Sequence, residues 1–162
     1  MCDGIVPRAL SLASRLGASM LFGKKKRRID RVLVVEDEPL IAFDTEHMLS
    51  DAGYTIVATV DRVADAIAVI DGGETVDLVL LDVNLADGSG MDVARAARAA
   101  GVAVLFATGN FPADAVELAH GCLAKPFGPR DLARAIAAID GAMAGKAAGR
   151  LPAGFRLFVT AG

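Results

Sequence analysis

Arg31-Val32-Leu33-Val34-Val35-Glu36-Asp37-Glu38-Pro39 changes character twice within nine residues. Residues 32–35 are an unbroken apolar run, mostly β-branched. A strand covered on both faces has this composition, as in a parallel sheet, because neither side can be polar. Three acidic residues end the run. Pro39 then opens a helix, since its fixed φ suits the first turn and its missing N–H is no loss there. The helix carries Leu40, Ile41, Phe43, Met48 and Leu49 on the face expected to be apolar, and it closes near Gly53. A buried strand running directly into carboxylates and a helix is the start of a β-α-β unit.

The same alternation continues outward from this stretch. Strands are expected at 55–60, 76–81, 102–107 and 122–124. Helices are expected at 63–70, 91–100, 112–119 and from 128 to about 143, with Asp87-Gly88-Ser89-Gly90 as a loop. Parallel strands require crossover helices, and those crossovers are right-handed. Five strands alternating with five helices therefore predict a doubly wound α/β fold with a five-stranded parallel sheet. The domain spans 31–143, between an N-terminal extension over 1–30 and a tail over 144–162. In such sheets ligands sit at the carboxyl ends of the strands.

Composition narrows the function classes. The chain has 162 residues, 54% of them hydrophobic, enough for one domain and too few for two of full size. A net charge of -3 gives no global reason to expect nucleic acid. Cys2 and Cys122 form no C-x-x-C pair, which suits a reducing cytoplasm. His47 and His120 lack neighbours at metal-ligand spacing, so they read as ordinary histidines. Residues 6–22 are apolar with interspersed Ser and Arg, and Lys24-Lys25-Lys26-Arg27-Arg28 follows. A secretory signal places its charge first. A basic amphipathic helix on an anionic membrane is one reading of this leader. An unstructured leader is favoured, because Pro7, Gly17 and Gly23 weaken a helix.

The strand ends carry Glu36 and Asp37 after the first strand, Asp82 after the third, Thr108 after the fourth and Lys125 after the fifth. Singly, each has an ordinary explanation: an aspartate caps a helix, Thr-Gly-Asn is a turn, and a lone lysine says nothing. Jointly, they place three carboxylates, a hydroxyl and an ammonium on one rim. Clustered carboxylates raise one another's pKa unless a cation neutralises them. Oxygen-only ligands with open positions suit Mg²⁺ or Mn²⁺. Asp82 could then serve as a nucleophile that forms an acyl phosphate. Lys125 would pair with one phosphoryl oxygen and Thr108 would donate to another. Phosphoryl transfer needs positioning and charge neutralisation above all, and this set supplies both.

Val32-Leu33-Val34-Val35-Glu36-Asp37-Glu38, Leu80-Leu81-Asp82-Val83-Asn84-Leu85 with Gly90, Ala107-Thr108 and Lys125-Pro126-Phe127 together resemble the receiver domains of bacterial two-component response regulators. The likeness covers about residues 30–143. It implies the flavodoxin-like strand order 2-1-3-4-5, with Asp82 as phosphoacceptor. It also implies metal ligation by Asp37, by Glu36 through water, by Asp82 and by the Asn84 backbone carbonyl. Thr108 and Lys125 become the phosphate-sensing pair, and Lys125–Pro126 is expected to be cis. The implied partner is a histidine kinase or phosphotransfer protein.

Two departures bear on the switch. Many receivers carry an aromatic three residues before the lysine, and here that residue is Cys122. Phe106-Ala107-Thr108-Gly109 resembles the signature of an alphaproteobacterial receiver subgroup. A switch through Thr108, Gly109 and the short following helix, with Phe106 or Phe111 as the mobile aromatic, is therefore expected.

The segment after the last helix is too short for a DNA-binding module, which needs several helices of its own. Output is expected through protein–protein contact, with no catalytic output of its own beyond accepting and losing the phosphoryl group. A phosphate sink or relay intermediate draining a kinase is the alternative. It is supported by small polar residues, Asn84 and Asn110, two positions beyond Asp82 and Thr108. A phosphate-independent flavodoxin-like binding module is more remote, because Glu36-Asp37-Glu38 would repel a phosphate-bearing cofactor. The Leu157-Phe158-Val159 patch in the tail is either an unstructured end or packs back on the domain.

Overall fold

Strand β1 (Arg31–Val35) lies between β2 (Thr55–Val60) and β3 (Leu78–Leu81), parallel to both. The structure is a computed structural model and describes residues 26–159. The leader over 6–22, Cys2 and the first two lysines of the basic run lie outside the described residues. After β3 comes a small antiparallel hairpin of β4 (Asn84–Leu85) and β5 (Gly88–Ser89), where the sequence suggested a plain loop. Strands β6 (Ala103–Thr108), β7 (Gly121–Ala124) and β8 (Phe155–Leu157) complete the main sheet, whose order is β2-β1-β3-β6-β7-β8. The first five follow the expected order. The sixth, β8, runs antiparallel along β7 and extends the expected five-stranded sheet.

The helices are α1 (Pro39–Asp51), α2 (Val63–Asp71), α3 (Gly90–Ala99) and α4 (Pro129–Met143). The expected fifth, between β6 and β7, is a 3-10 helix over Ala113–Leu118. None of the helices among the described residues is long and apolar enough to cross a membrane.

The apolar strand runs divide between two cores because successive side chains point to opposite faces. Leu33, Val35, Val79, Leu81, Val104 and Phe106 pack towards α2 and α3. Val32, Val34, Leu78, Leu80 and Leu105 pack with Leu132, Ile136 and Ile139 of α4. Each large side chain buried this way contributes roughly 1.5–3 kcal/mol.

Packing extends beyond residues 31–143 at both ends. Ile29 is fully buried in the α4-side core. The Arg28 and Ile29 amides both donate to Asp140. Arg27, from the basic run, donates to the Gly53 carbonyl and stacks over Tyr54. At the other end Phe155 is buried against β7. His120 ties β6 to that edge, because its Nδ1 accepts from the Val104 amide at 3.0 Å. Burial, with the nearby Arg98 charge, holds its imidazole below the usual pKa.

Helix α1 corrects the expected apolar face. Its buried residues are Ala42, Thr45 and Leu49, while Leu40 is 80% and Phe43 57% exposed. The spacing 42, 45, 49 is one helical stripe, and 40 and 43 fall on the opposite side.

Gly90 fixes the hairpin and α3 against β3. Its amide donates to the Val83 carbonyl at 2.7 Å, and a Cβ there would lie 2.1 Å from the Asp82 carbonyl oxygen. Only glycine allows this approach. Gly90→Ala is expected to lower stability by about 1–3 kcal/mol, the cost of overpacking a closed site. Urea unfolding of the two proteins checks this, and unchanged midpoints would contradict the contact.

Candidate functional site

The carboxyl ends of β1, β3, β6 and β7 meet at one rim, and the predicted residues stand there. Glu36 follows β1, and its amide donates to the Val60 carbonyl at 3.0 Å, which fixes the backbone where the strand stops. Asp82 follows β3, and its amide donates to the Val35 carbonyl at 3.1 Å. Thr108 is the last residue of β6 rather than the first beyond it, and Lys125 follows β7. The Lys125 amide donates to the Thr108 carbonyl at 3.1 Å, so the sheet ladder holds these two side by side. The Lys125–Pro126 peptide is cis, as expected.

One ammonium organises the charges. Lys125 Nζ donates to Glu36 Oε2 at 2.6 Å and to Asp82 Oδ2 at 2.8 Å. The three side chains are largely buried, Lys125 the least so. Charge-assisted hydrogen bonds of this kind are the strong ones, and partial burial weakens solvent screening. Burial raises the Glu36 pKa above the usual carboxylate value, and the Lys125 hydrogen bond and the Glu38 amide oppose that rise. Burial alone would lower the Lys125 pKa, but its hydrogen bonds to Asp82 and Glu36 and their charges outweigh burial and raise it.

The acidic residues also converge on each other. Glu36, Asp37 and Asp82 each present a carboxylate oxygen, all within 4.8 Å of one another. The donors are all oxygen, with no thiolate or imidazole among them, which suits a hard divalent cation. Three carboxylates exceed the single positive charge of Lys125, so the rim retains room for further positive charge. The residues present therefore fit Mg²⁺.

Asn84 lies in β4, and its backbone N–H donates to Asp82 Oδ1 at 3.2 Å, while Lys125 holds the other carboxylate oxygen. Thr108 is buried. Its hydroxyl donates to the Asn110 carbonyl at 3.2 Å and accepts from the Asn110 amide at 3.3 Å. The hydroxyl is thus engaged with the loop that follows it. Gly109 is exposed, Phe106 is fully buried, and Phe111 is half-buried with its ring 5.8 Å from that of Phe106.

Sequence reasoning missed three features of this rim. Asp87 accepts from the Val63 amide at 3.0 Å and so caps α2 from the hairpin. Leu40 and Phe43 stand exposed on the helix that leaves Asp37 and Glu38. A groove of about 170 Å³ lies between α1 and the Lys125-Pro126-Phe127 turn, with Ile41, Met48 and Phe127 in its walls. The helical spacing of 42, 45 and 49 is the signal that would have turned Leu40 and Phe43 outward.

The response regulator receiver domain family matches residues 32–137. Among curated proteins the chain is similar to the phyllosphere-induced regulator PhyR of Methylorubrum extorquens, 30% identical over 115 residues. That alignment covers 65% of this chain and 41% of PhyR. It is likewise similar to the transcriptional regulatory protein PdtaR of Mycobacterium tuberculosis, at 34% over 112 residues, 65% of this chain and 54% of PdtaR. The chain thus spans about half, or less, of the length of these relatives. Among solved structures it is similar to the signal receiver domain of a LuxO-type repressor protein from Vibrio parahaemolyticus. The TM-score is 0.61 at 31% identity, over 68% of this chain and 89% of the other. It is also similar to the receiver domain of the sensor histidine kinase PA1611 from Pseudomonas aeruginosa, which has a magnesium ion coordinated in its active-site cleft. There the TM-score is 0.61 at 26% identity, over 70% of this chain and 98% of the other. The family match extends over the strands that carry the rim, and the chain belongs to the response regulator receiver domain family, the phosphoacceptor domains of two-component signalling.

Proposed function

We propose that this chain is a single-domain response regulator that takes a phosphoryl group on Asp82 from a histidine kinase or phosphotransfer protein. It then signals in the cytoplasm by protein–protein contact. The observation that carries this is the convergence of Glu36, Asp37, Asp82 and Lys125 at one rim, with the Asp82 carboxylate oriented by Asn84 and Lys125. Phe106-Ala107-Thr108-Gly109 supports placing it in the alphaproteobacterial subgroup of that signature.

The chemistry follows from the side chains. One Asp82 carboxylate oxygen attacks phosphorus and forms an acyl phosphate. The bond from phosphorus to the donor breaks, and the donor leaves with that electron pair, as imidazole or acetate. Asp37, Asp82, Glu36 and the Asn84 carbonyl would hold Mg²⁺. When bound, the ion neutralises charge as the phosphoryl group arrives. Lys125, freed from Asp82, pairs with a phosphoryl oxygen. The Thr108 hydroxyl gives up the Asn110 carbonyl and donates to another phosphoryl oxygen. Leu40 and Phe43, exposed beside this rim, supply the apolar surface on which a protein donor docks.

A phosphate sink is the second reading. Asn84 and Asn110 are exposed, small and polar, and leave water access to the acyl phosphate. Dephosphorylation in minutes or less favours the sink, and a lifetime of many hours favours a lasting switch.

Incubation with acetyl phosphate and Mg²⁺ is expected to add one phosphoryl mass to the intact protein. The gain should vanish in Asp82→Ala and when the metal is chelated. A full gain in Asp82→Ala would contradict the assignment.

Lys125 competes with the metal for Glu36 and Asp82. Lys125→Ala is therefore expected to tighten Mg²⁺ binding by about tenfold, the worth of one hydrogen bond between charged groups. Titration calorimetry measures this, and weaker binding would show that Lys125 organises the site rather than competes for it.

A further inference from the structure

Strand β8 is a built part of the sheet. The Phe158 amide donates to the His120 carbonyl at 2.9 Å, and the Ala124 amide donates to the Gly154 carbonyl at 2.9 Å. Between them Leu157, Arg156 and Phe155 pair with Gly121, Cys122 and Leu123. A Cβ on Gly121 would lie 2.7 Å from the Phe155 ring, so this β7 position is shaped to seat that ring. β8 thus covers an edge that would otherwise present unpaired backbone groups.

The same strand reaches the switch region. The Phe158 ring stacks on Phe111 at 5.4 Å with 21° between planes, and Phe111 meets Phe106 edge-on at 5.8 Å. All three pack in the core that contains Cys122. The aromatic that Cys122 does not supply from within β7 is thus supplied by Phe158 from the tail and Phe111 from the β6 loop. Phe111 directly follows Asn110, whose backbone holds the Thr108 hydroxyl through two hydrogen bonds.

We infer that β8 is a phosphorylation-responsive cover. When a phosphoryl group on Asp82 takes the Thr108 hydroxyl, the Thr108–Asn110 turn opens, Phe111 withdraws from Phe158, and the strand loosens from β7. The inference rests on the phosphoacceptor reading. It adds a readout more than twenty residues beyond the last residue of the rim. Coupling is reciprocal: if phosphorylation loosens the tail, a loosened tail favours the phosphorylated arrangement by the same factor.

Hydrogen exchange of the full chain with Mg²⁺, with and without beryllofluoride, tests it directly. The Phe158 and Ala124 amides are expected to exchange about tenfold faster with beryllofluoride, within the usual span of allosteric coupling. The amides of β2, at the far edge of the sheet, should not change. Phe158→Ala should bind beryllofluoride more tightly by a matching factor. Binding without faster exchange at Phe158 and Ala124, or an unchanged affinity in Phe158→Ala, would overturn the cover and leave the phosphoacceptor reading standing. No beryllofluoride binding to the wild-type protein would overturn both.

Discussion

The rim depends on the Lys125 ammonium, placed between two buried carboxylates. Lys125 Nζ bridges Glu36 and Asp82 from the end of a different strand. Without a cation there, Glu36, Asp37 and Asp82 would be three carboxylates within 4.8 Å of one another at partly buried positions. Such a cluster neutralises itself by taking up protons or forces its members apart. One lysine satisfies two of the acids and leaves the third facing the rim. This balance is poised for exchange, because any added positive charge competes with Lys125 for the same oxygens.

The backbone that carries these charges is held in place by the sheet. The parallel ladder fixes the strand ends: Val35 pairs with Leu81, Leu81 with Phe106, and Thr108, two residues further along β6, with Ala124. Gly90 lets the hairpin after Asp82 close against β3, and Asp87 anchors that hairpin to α2. The loop after Thr108 is different. It carries exposed Gly109 and Asn110 and a short 3-10 helix in place of a full helix. Its first residues are held by the Thr108 hydroxyl and the packing of Phe111, and its 3-10 helix by the buried Ala115 and Ala119. An acceptor fixed by the sheet ladder, beside a turn held by a single hydroxyl, is how a local charge change becomes a conformational one.

Much of this was legible in the sequence, for physical reasons. Continuous apolar runs such as 32–35 arise only where both faces of a strand are covered, so the parallel sheet followed from them. The strand ends then located Glu36, Asp37, Asp82 and Lys125. Helix α1 was misread because its composition is apolar on two sides, and only the spacing of Ala42, Thr45 and Leu49 separates them. Strand β8 could not be assigned because three residues carry no period, and its pairing depends on Gly121 more than thirty residues earlier. Thr108-Gly109-Asn110 was legible as a turn, but the engagement of the Thr108 hydroxyl with Asn110 was not, because a hydroxyl's partner is set by the loop geometry and not by its own residue type.

The most direct test of the acceptor site is chemical trapping of the acyl phosphate. Borohydride reduces an aspartyl phosphate to homoserine, with release of phosphate, and so marks the residue itself. After treatment with acetyl phosphate and Mg²⁺, reduction and peptide mass mapping should place homoserine at position 82. Homoserine at another aspartate, or a reduced glutamate, with Asp82 unmodified, would contradict the account.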